Sequence, residues 1–182
     1  MILFILLLLS QCSLAAPLEK ILDLEGAWKF EIGDNLAWAH PDFNDQAWEE
    51  IEVPGSWENE GFPGYDGYAW YRTQFIIPAE ETGNDLYLRL GYIDDVDEVF
   101  LNGRLVGSSG GFPPQYQTAY NIFRNYLIPA VLLSFGTENV LAVRVFDEHL
   151  EGGIVKGPVG FYKSRNRDLT QRRYDLSFVL AW

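Results

Sequence analysis

Carboxylates are the side chains here with the most scope for chemistry: Asp and Glu number 26 against 13 Lys and Arg. Asp66 lies in a stretch from Trp57 to Trp70 that holds Gly61, Gly64 and Gly67 together with Phe62, Tyr65 and Tyr68. A carboxylate can accept hydrogen bonds from two adjacent sugar hydroxyls. A flat ring can pack on the apolar C–H face of a sugar. Trp57, Tyr65, Asp66, Tyr68 and Trp70 are therefore candidate ligand-binding residues. The competing use is structural: Asp66-Gly67 as a turn and the rings as core, with Trp70 leaning toward core. A second candidate stretch runs from 147 to 158 and offers Asp147, Glu151 and Gly153. Arg144, on the opposite face from Leu141, Val143 and Val145, reads as an ion-pair partner.

Other groups point to no reaction, and no catalytic residue is assigned. Glycoside hydrolysis uses two carboxylates about 5 to 9.5 Å apart, but among so many acids a chance pair proves nothing. Asp94, Asp95, Asp97 and Glu98 cluster before Val99. They read as a cation site, an acid pair, or simply a solvated turn, which is the expectation. Ser108-Ser109-Gly110-Gly111 lacks the Gly-x-Ser-x-Gly pattern of a nucleophile elbow. His40 and His149 stand far apart, and His149 has no nucleophile in a recognisable motif. The one cysteine, Cys12, lies in an apolar leader, so a disulfide or a cysteine-type zinc site is not expected. No cofactor is predicted. A structural Ca2+ would need carboxylates such as Asp34, Asp42 and Asp45, which qualify by composition only, and no metal is assigned.

The elements that must position these groups are strands. Ala27 to Ile32 alternates, as do Leu86, Leu88 and Leu90 with Tyr87 and Arg89. Ile51–Val53, Tyr68–Ile77, 139–146 and 159–162 read as further strands. Asn102-Gly103 between two apolar runs signals a tight hairpin, because both residues tolerate positive φ. Short helices are expected at Asp42–Trp48 and Pro129–Ser134, the latter with Pro at its start and Gly136 beyond its end. Short strands divided by Gly, Pro and Asn predict an all-β sandwich or jelly roll. There is no βαβ alternation, which disfavours a nucleotide-binding sheet.

The totals agree. At 182 residues there is room for one domain, and 15% aromatic content suits pleated, half-buried surfaces. The formal net charge of −13 repels polyanions, so nucleic acid and anionic membrane surfaces are poor partners, whereas neutral glycans are not. Arg165, Arg167, Arg172 and Arg173 fall in a polar segment and do not form a basic face. Ile2–Leu9 followed by Ser13-Leu14-Ala15-Ala16 reads as a signal peptide over residues 1–16, implying export to the periplasm or outside. It is too short for a permanent span of roughly 20 residues, so no stable membrane insertion is expected. Cys12 preceded by Gln11 fits lipoprotein processing poorly. Residues 17–163 then form the domain, and 164–182 a tail or the start of a further element.

Five stretches together resemble one family. They are Leu24-Glu25-Gly26-Ala27-Trp28-Lys29-Phe30, Val53-Pro54-Gly55-Ser56-Trp57-Glu58, Tyr65-Asp66-Gly67-Tyr68-Ala69-Trp70-Tyr71-Arg72, Val99-Phe100-Leu101-Asn102-Gly103 and Asn139-Val140-Leu141-Ala142-Val143-Arg144-Val145. In that order they are similar to the sugar-binding domain of glycoside hydrolase family 2, over roughly residues 22 to 163. The resemblance implies a galactose-binding-like jelly-roll β-sandwich of two antiparallel sheets that binds carbohydrate without catalysis. In β-galactosidases and β-glucuronidases such a module precedes an immunoglobulin-like domain and a (β/α)8 barrel with two catalytic glutamates. It further implies that a polar residue at Asp66, and an acid near Gly152-Gly153, reach toward sugar. Similar modules occur in sialic-acid esterases and bacterial sensory proteins. The expectation is a carbohydrate-binding module. The alternatives are the N-terminal fragment of a β-galactosidase-like hydrolase whose barrel is absent, or an extracytoplasmic sensory domain.

Overall fold

Ten strands appear in the order β1 (Leu18–Asp23), β2 (Gly26–Ile32), β3 (Glu49–Val53), β4 (Gly67–Ile76), β5 (Leu86–Asp94), β6 (Val96–Leu101), β7 (Arg104–Ser109), β8 (Phe123–Ile128), β9 (Glu138–Asp147) and β10 (Gly153–Ser164). The structure, a computed structural model, describes residues 17–164. The expected signal peptide, Cys12, the four C-terminal arginines and the tail from 165 lie outside the described residues. Glu19–Lys163 pack as one unit. Two antiparallel sheets result, one of four strands ordered β1-β10-β5-β8 and one of six ordered β3-β2-β4-β9-β6-β7. Among the described residues no helix is long and apolar enough to cross a membrane.

The alternating positions supply the core between the sheets. Leu86, Leu88 and Leu90 of β5 and Leu141, Val143 and Val145 of β9 are all fully buried. Each such side chain contributes about 1.5–3 kcal/mol of burial free energy. Trp28, Phe30, Trp57, Tyr71, Val99 and Phe161 join the same cluster. The hairpin at Asn102-Gly103 forms as expected, with φ of 49° and 79°. It joins β6 to β7 in a two-strand ladder.

The central strands of the larger sheet are buried on their outer face as well. Trp38, Phe43, Trp48, Trp70, Phe100 and Ala142 form a second cluster there. The segment carrying Trp38, Phe43 and Trp48 is where a helix at 42–48 was expected. It is irregular, with one 3-10 turn at Leu36–Ala39. The reason is Arg72, whose side chain is 1% exposed. Its guanidinium donates to the carbonyls of Trp38, His40 and Phe43 and to Asp45 Oδ2 at 2.7 Å. Carbonyls spaced two and three residues apart converge on one cation, whereas those of a helix all point along its axis. The second expected helix, Pro129–Ser134, shrinks to a 3-10 turn at Ala130–Leu132.

Candidate functional site at one end of the sandwich

The two candidate loops meet. β4 and β9 run side by side with Gly67 opposite Asp147, so the loop before β4 and the loop after β9 leave the sheet at the same end. Backbone bonds then tie them: Gly55 N–H donates to Ile154 O at 2.8 Å and Trp57 N–H to Gly152 O at 3.2 Å. The Glu58 carboxylate accepts from Gly152 N–H at 3.1 Å and from the Ser56 hydroxyl at 2.5 Å. Gly152 lies against the Trp57 ring, and a Cβ there would stand 2.0 Å from Trp57 Cζ2. Only a residue without a side chain allows that approach.

Of the ring candidates, Trp57 and Trp70 are 0% exposed, so neither offers a face to a sugar. Trp57 packs on Phe30 and Tyr65, with its Nε1 donating to Tyr65 O at 3.0 Å. Trp70 stacks on Phe100 with centroids 5.6 Å apart. Trp70 lies on β4, which is covered on both faces, and Trp57, in a 3-10 turn at Trp57–Glu60, packs into the core between the sheets. Tyr65 is half-buried, and its hydroxyl donates to Tyr68 O at 2.7 Å. Tyr68 is half-buried too, stacked on Phe112 at 5.8 Å and flanked by the Arg144 guanidinium at 4.9 Å. Arg144 is an ion-pair partner, donating to Asp34 at 2.5 Å and to Glu98 at 2.9 Å. Asp66 and Glu151 are exposed. Asp147 is 0% exposed, and Gly153 is buried beside the Tyr71 hydroxyl.

The acidic run Asp94–Glu98 departs most from expectation. It is no solvated turn, since Asp95 and Asp97 are 7% and 0% exposed. Asp97 pairs with Arg124 at 2.6 Å, both side chains fully buried. Burial pushes the Asp97 carboxyl up, against the pull of Arg124 and the Tyr126 hydroxyl. Arg124 also donates to the carbonyls of Ala119, Ile122 and Asp95.

Asp94 and Asp95 instead meet Asp147, with one carboxylate oxygen from each within 4.8 Å of the others. Asp95 accepts from the Tyr116 hydroxyl at 2.7 Å, the Thr118 hydroxyl and Glu148 N–H at 3.2 Å. Burial works against its charge, but those donors hold Asp95 below the usual range. Burial foremost, then Asp95 and Asp147, pushes Asp94 well up. Asp147 is pushed up to about 7 by burial, then by the charges of Asp95, Asp66 and Glu58. Its Oδ1 accepts from His149 N–H at 3.3 Å, while its buried Oδ2 has no hydrogen-bond partner. Nothing local in the sequence signals this meeting of residues more than fifty positions apart.

The Ca2+ candidates by composition do not assemble. Asp34 is bound to Arg144 and to Trp70 Nε1, Asp45 to Arg72, and Asp42 lies beside His40. A shallow cavity of about 200 Å3 lies elsewhere, on the outer face of the larger sheet beside Lys29, Asp45, Glu50 and Arg72. It falls short of the roughly 300 Å3 at which ligand pockets begin, and none of the ligand-binding candidates lines it.

Residues 33–150 match the family described as the β-galactosidase second all-β domain. The chain belongs to that family. Its relatives are glycoside hydrolases. The β-galactosidase BoGH2A of Bacteroides ovatus is 32% identical over 150 residues, which is 75% of this chain and 16% of that protein. A β-glucuronidase of Formosa agariphila is 28% identical over 131 residues, 65% of this chain and 12% of that protein. Among solved structures, a Bacteroides uniformis β-glucuronidase superposes with a TM-score of 0.62 at 28% identity, covering 80% of this chain and 18% of that one. β-Glucuronidase 2 of the same organism, bound covalently to cyclophellitol-6-carboxylate aziridine, gives 0.63 at 27%, covering 81% and 18%. This family 2 domain thus spans 12–18% of the length of these relatives.

Proposed function

We propose that this chain is a galactose-binding-like jelly-roll module that binds carbohydrate without catalysis, in the setting of a family 2 glycoside hydrolase. The observation that carries the reading is the pairing of Gly67 with Asp147, which brings both candidate loops to one end of the sandwich with Asp66 and Glu151 exposed on them. With Trp57 and Trp70 buried, recognition would rest on carboxylates and on the open parts of Tyr65 and Tyr68. Carboxylates accept hydrogen bonds from paired hydroxyls without the polyanion attraction that this charge forbids. Calorimetry of the full chain with neutral mono- and oligosaccharides tests it. Binding weakened about tenfold or more by Asp66→Ala is expected. A panel of neutral glycans without heat, or an affinity indifferent to Asp66→Ala, speaks against it.

A second reading is favoured by one observation, the small share of each relative that the chain covers. On that reading the module is one part of a β-galactosidase-like enzyme, lending its loops to an active site on another domain. An open reading frame running past Trp182 into a barrel decides for it, and a stop codon there decides against. Export through residues 1–16 belongs to the same proposal, and N-terminal sequencing of the protein recovered from the periplasm or medium checks it.

A further inference from the structure

We propose that Asp94, Asp95 and Asp147 form a binding site for one divalent cation, Ca2+ by its geometry. The inference goes beyond carbohydrate binding and stands independently of it. Two observations carry it. The first is the cluster: three carboxylate oxygens within 4.8 Å of one another lie no more than about 2.8 Å from a common centre, close to the Ca2+–oxygen distance of about 2.3–2.6 Å. The second is the orphaned atom. Asp147 is fully buried, and its Oδ2 meets no hydrogen-bond donor. A buried polar atom left without a partner is costly, and a cation held by this carboxylate would make good the loss.

Among the described residues no cationic side chain is seen to hydrogen-bond to these three carboxylates. The adjacent Arg124 guanidinium is directed to Asp97 and to the carbonyls of Ala119, Ile122 and Asp95. The donors that do reach the cluster, Tyr116, Thr118 and two backbone N–H groups, are neutral, and they fix the orientation of Asp95 and Asp147. Further negative charge comes from Asp66 and Glu58, which bear on Asp147. Oriented carboxylates, partly buried and rich in negative charge, are what a hard cation selects, and Ca2+ tolerates their irregular spacing better than Mg2+ does. The site ties β5, β9 and the segment around Tyr116–Thr118, so a bound ion would brace the end of the sandwich that carries Asp66.

The test is calorimetric and thermal titration of the full chain, stripped with chelator, with CaCl2 and with MgCl2. The expected result is one Ca2+ per chain, with Mg2+ at least tenfold weaker, and a melting temperature raised by about 5–10 °C at a hundredfold excess over Kd. Asp147→Asn should abolish both effects while circular dichroism shows the folded β signature. If Asp147→Asn does not fold, the half-buried Asp94→Asn serves, with affinity expected to fall at least tenfold. Absence of Ca2+ binding by the folded wild-type chain overturns the proposal, as does Ca2+ binding unchanged in the substituted chains. Sugar calorimetry in chelator reads the carbohydrate proposal separately, because loss of Ca2+ binding leaves Asp66 in place.

Discussion

Consider the buried ion pair of Asp97 and Arg124. Arg124→Met removes the guanidinium, leaving Asp97 charged inside the protein with only Tyr126 to donate to it. It also takes a donor from the carbonyls of Ala119 and Asp95, which keep Ile122 N–H and Ala119 N–H at 2.8 and 2.9 Å, and from that of Ile122. Breaking a buried pair from one side costs about 3–5 kcal/mol. A loss of about 4 kcal/mol is expected, or roughly 10–15 °C in melting temperature for a domain of this size. Asp97→Leu should cost about as much, since it buries an uncompensated guanidinium. The double variant removes both charges, and of the three carbonyls only that of Ile122 loses its donor outright, at about 1 kcal/mol. It should therefore lose about 1 kcal/mol rather than the roughly 8 kcal/mol of the summed singles, a coupling near 7 kcal/mol. Urea unfolding followed by tryptophan fluorescence, with slopes checked for constancy, measures all four corners of the cycle. Additive single losses would mean the pair is not isolated from water, and the assignment of Asp97 as a buried charge would fail.

Further outcomes follow from the packing. Gly152→Ala drives a methyl group into the Trp57 ring and should cost about 1–3 kcal/mol, with a red shift in tryptophan emission as the ring is displaced. An unaltered melting temperature and spectrum would contradict the close approach. Tyr71→Phe deletes a buried hydroxyl that has no hydrogen-bond partner, so stability should stay within about 0.5 kcal/mol or rise, as thermal melts would show. Arg144→Met breaks contacts to Asp34 and Glu98 that are partly exposed, so a loss of only about 1 kcal/mol is expected, shrinking in 1 M salt.

The strands with clean alternation were legible in the sequence because each buries one face. The Leu86–Leu90 and Leu141–Val145 patterns and the Asn102-Gly103 turn carry their own signal. β8 did not, because one of its two buried members is Arg124, a charge where alternation demands an apolar residue. Most of β10 was hidden by glycine and proline at Gly153, Gly157 and Pro158, which read as loop. The strand needs glycines there, since a Cβ at Gly153 would stand 2.4 Å from the Tyr71 hydroxyl and one at Gly157 2.9 Å from Gly91 Cα. The two loops of the candidate site could be named from composition, and they do meet. Which members stay accessible could not be read, because the burial of Trp57 and Trp70 depends on layers contributed from far along the chain. The acid trio is the extreme case: Asp95 and Asp147 share a site only through the pairing of β6 with β9.

The outermost ribbon of the larger sheet, β3, bears Glu49, Glu50 and Glu52, all exposed, around a buried Ile51 and Val53. Its unpaired rim is a natural template for another chain to add itself. On a protein of net charge −13, a second copy approaching that rim would bring a like row of carboxylates. The deterrent is electrostatic and reaches only about 8 Å at physiological ionic strength. Concentrated salt should thus loosen the guard against self-association at this margin while the interior packing stays as it is.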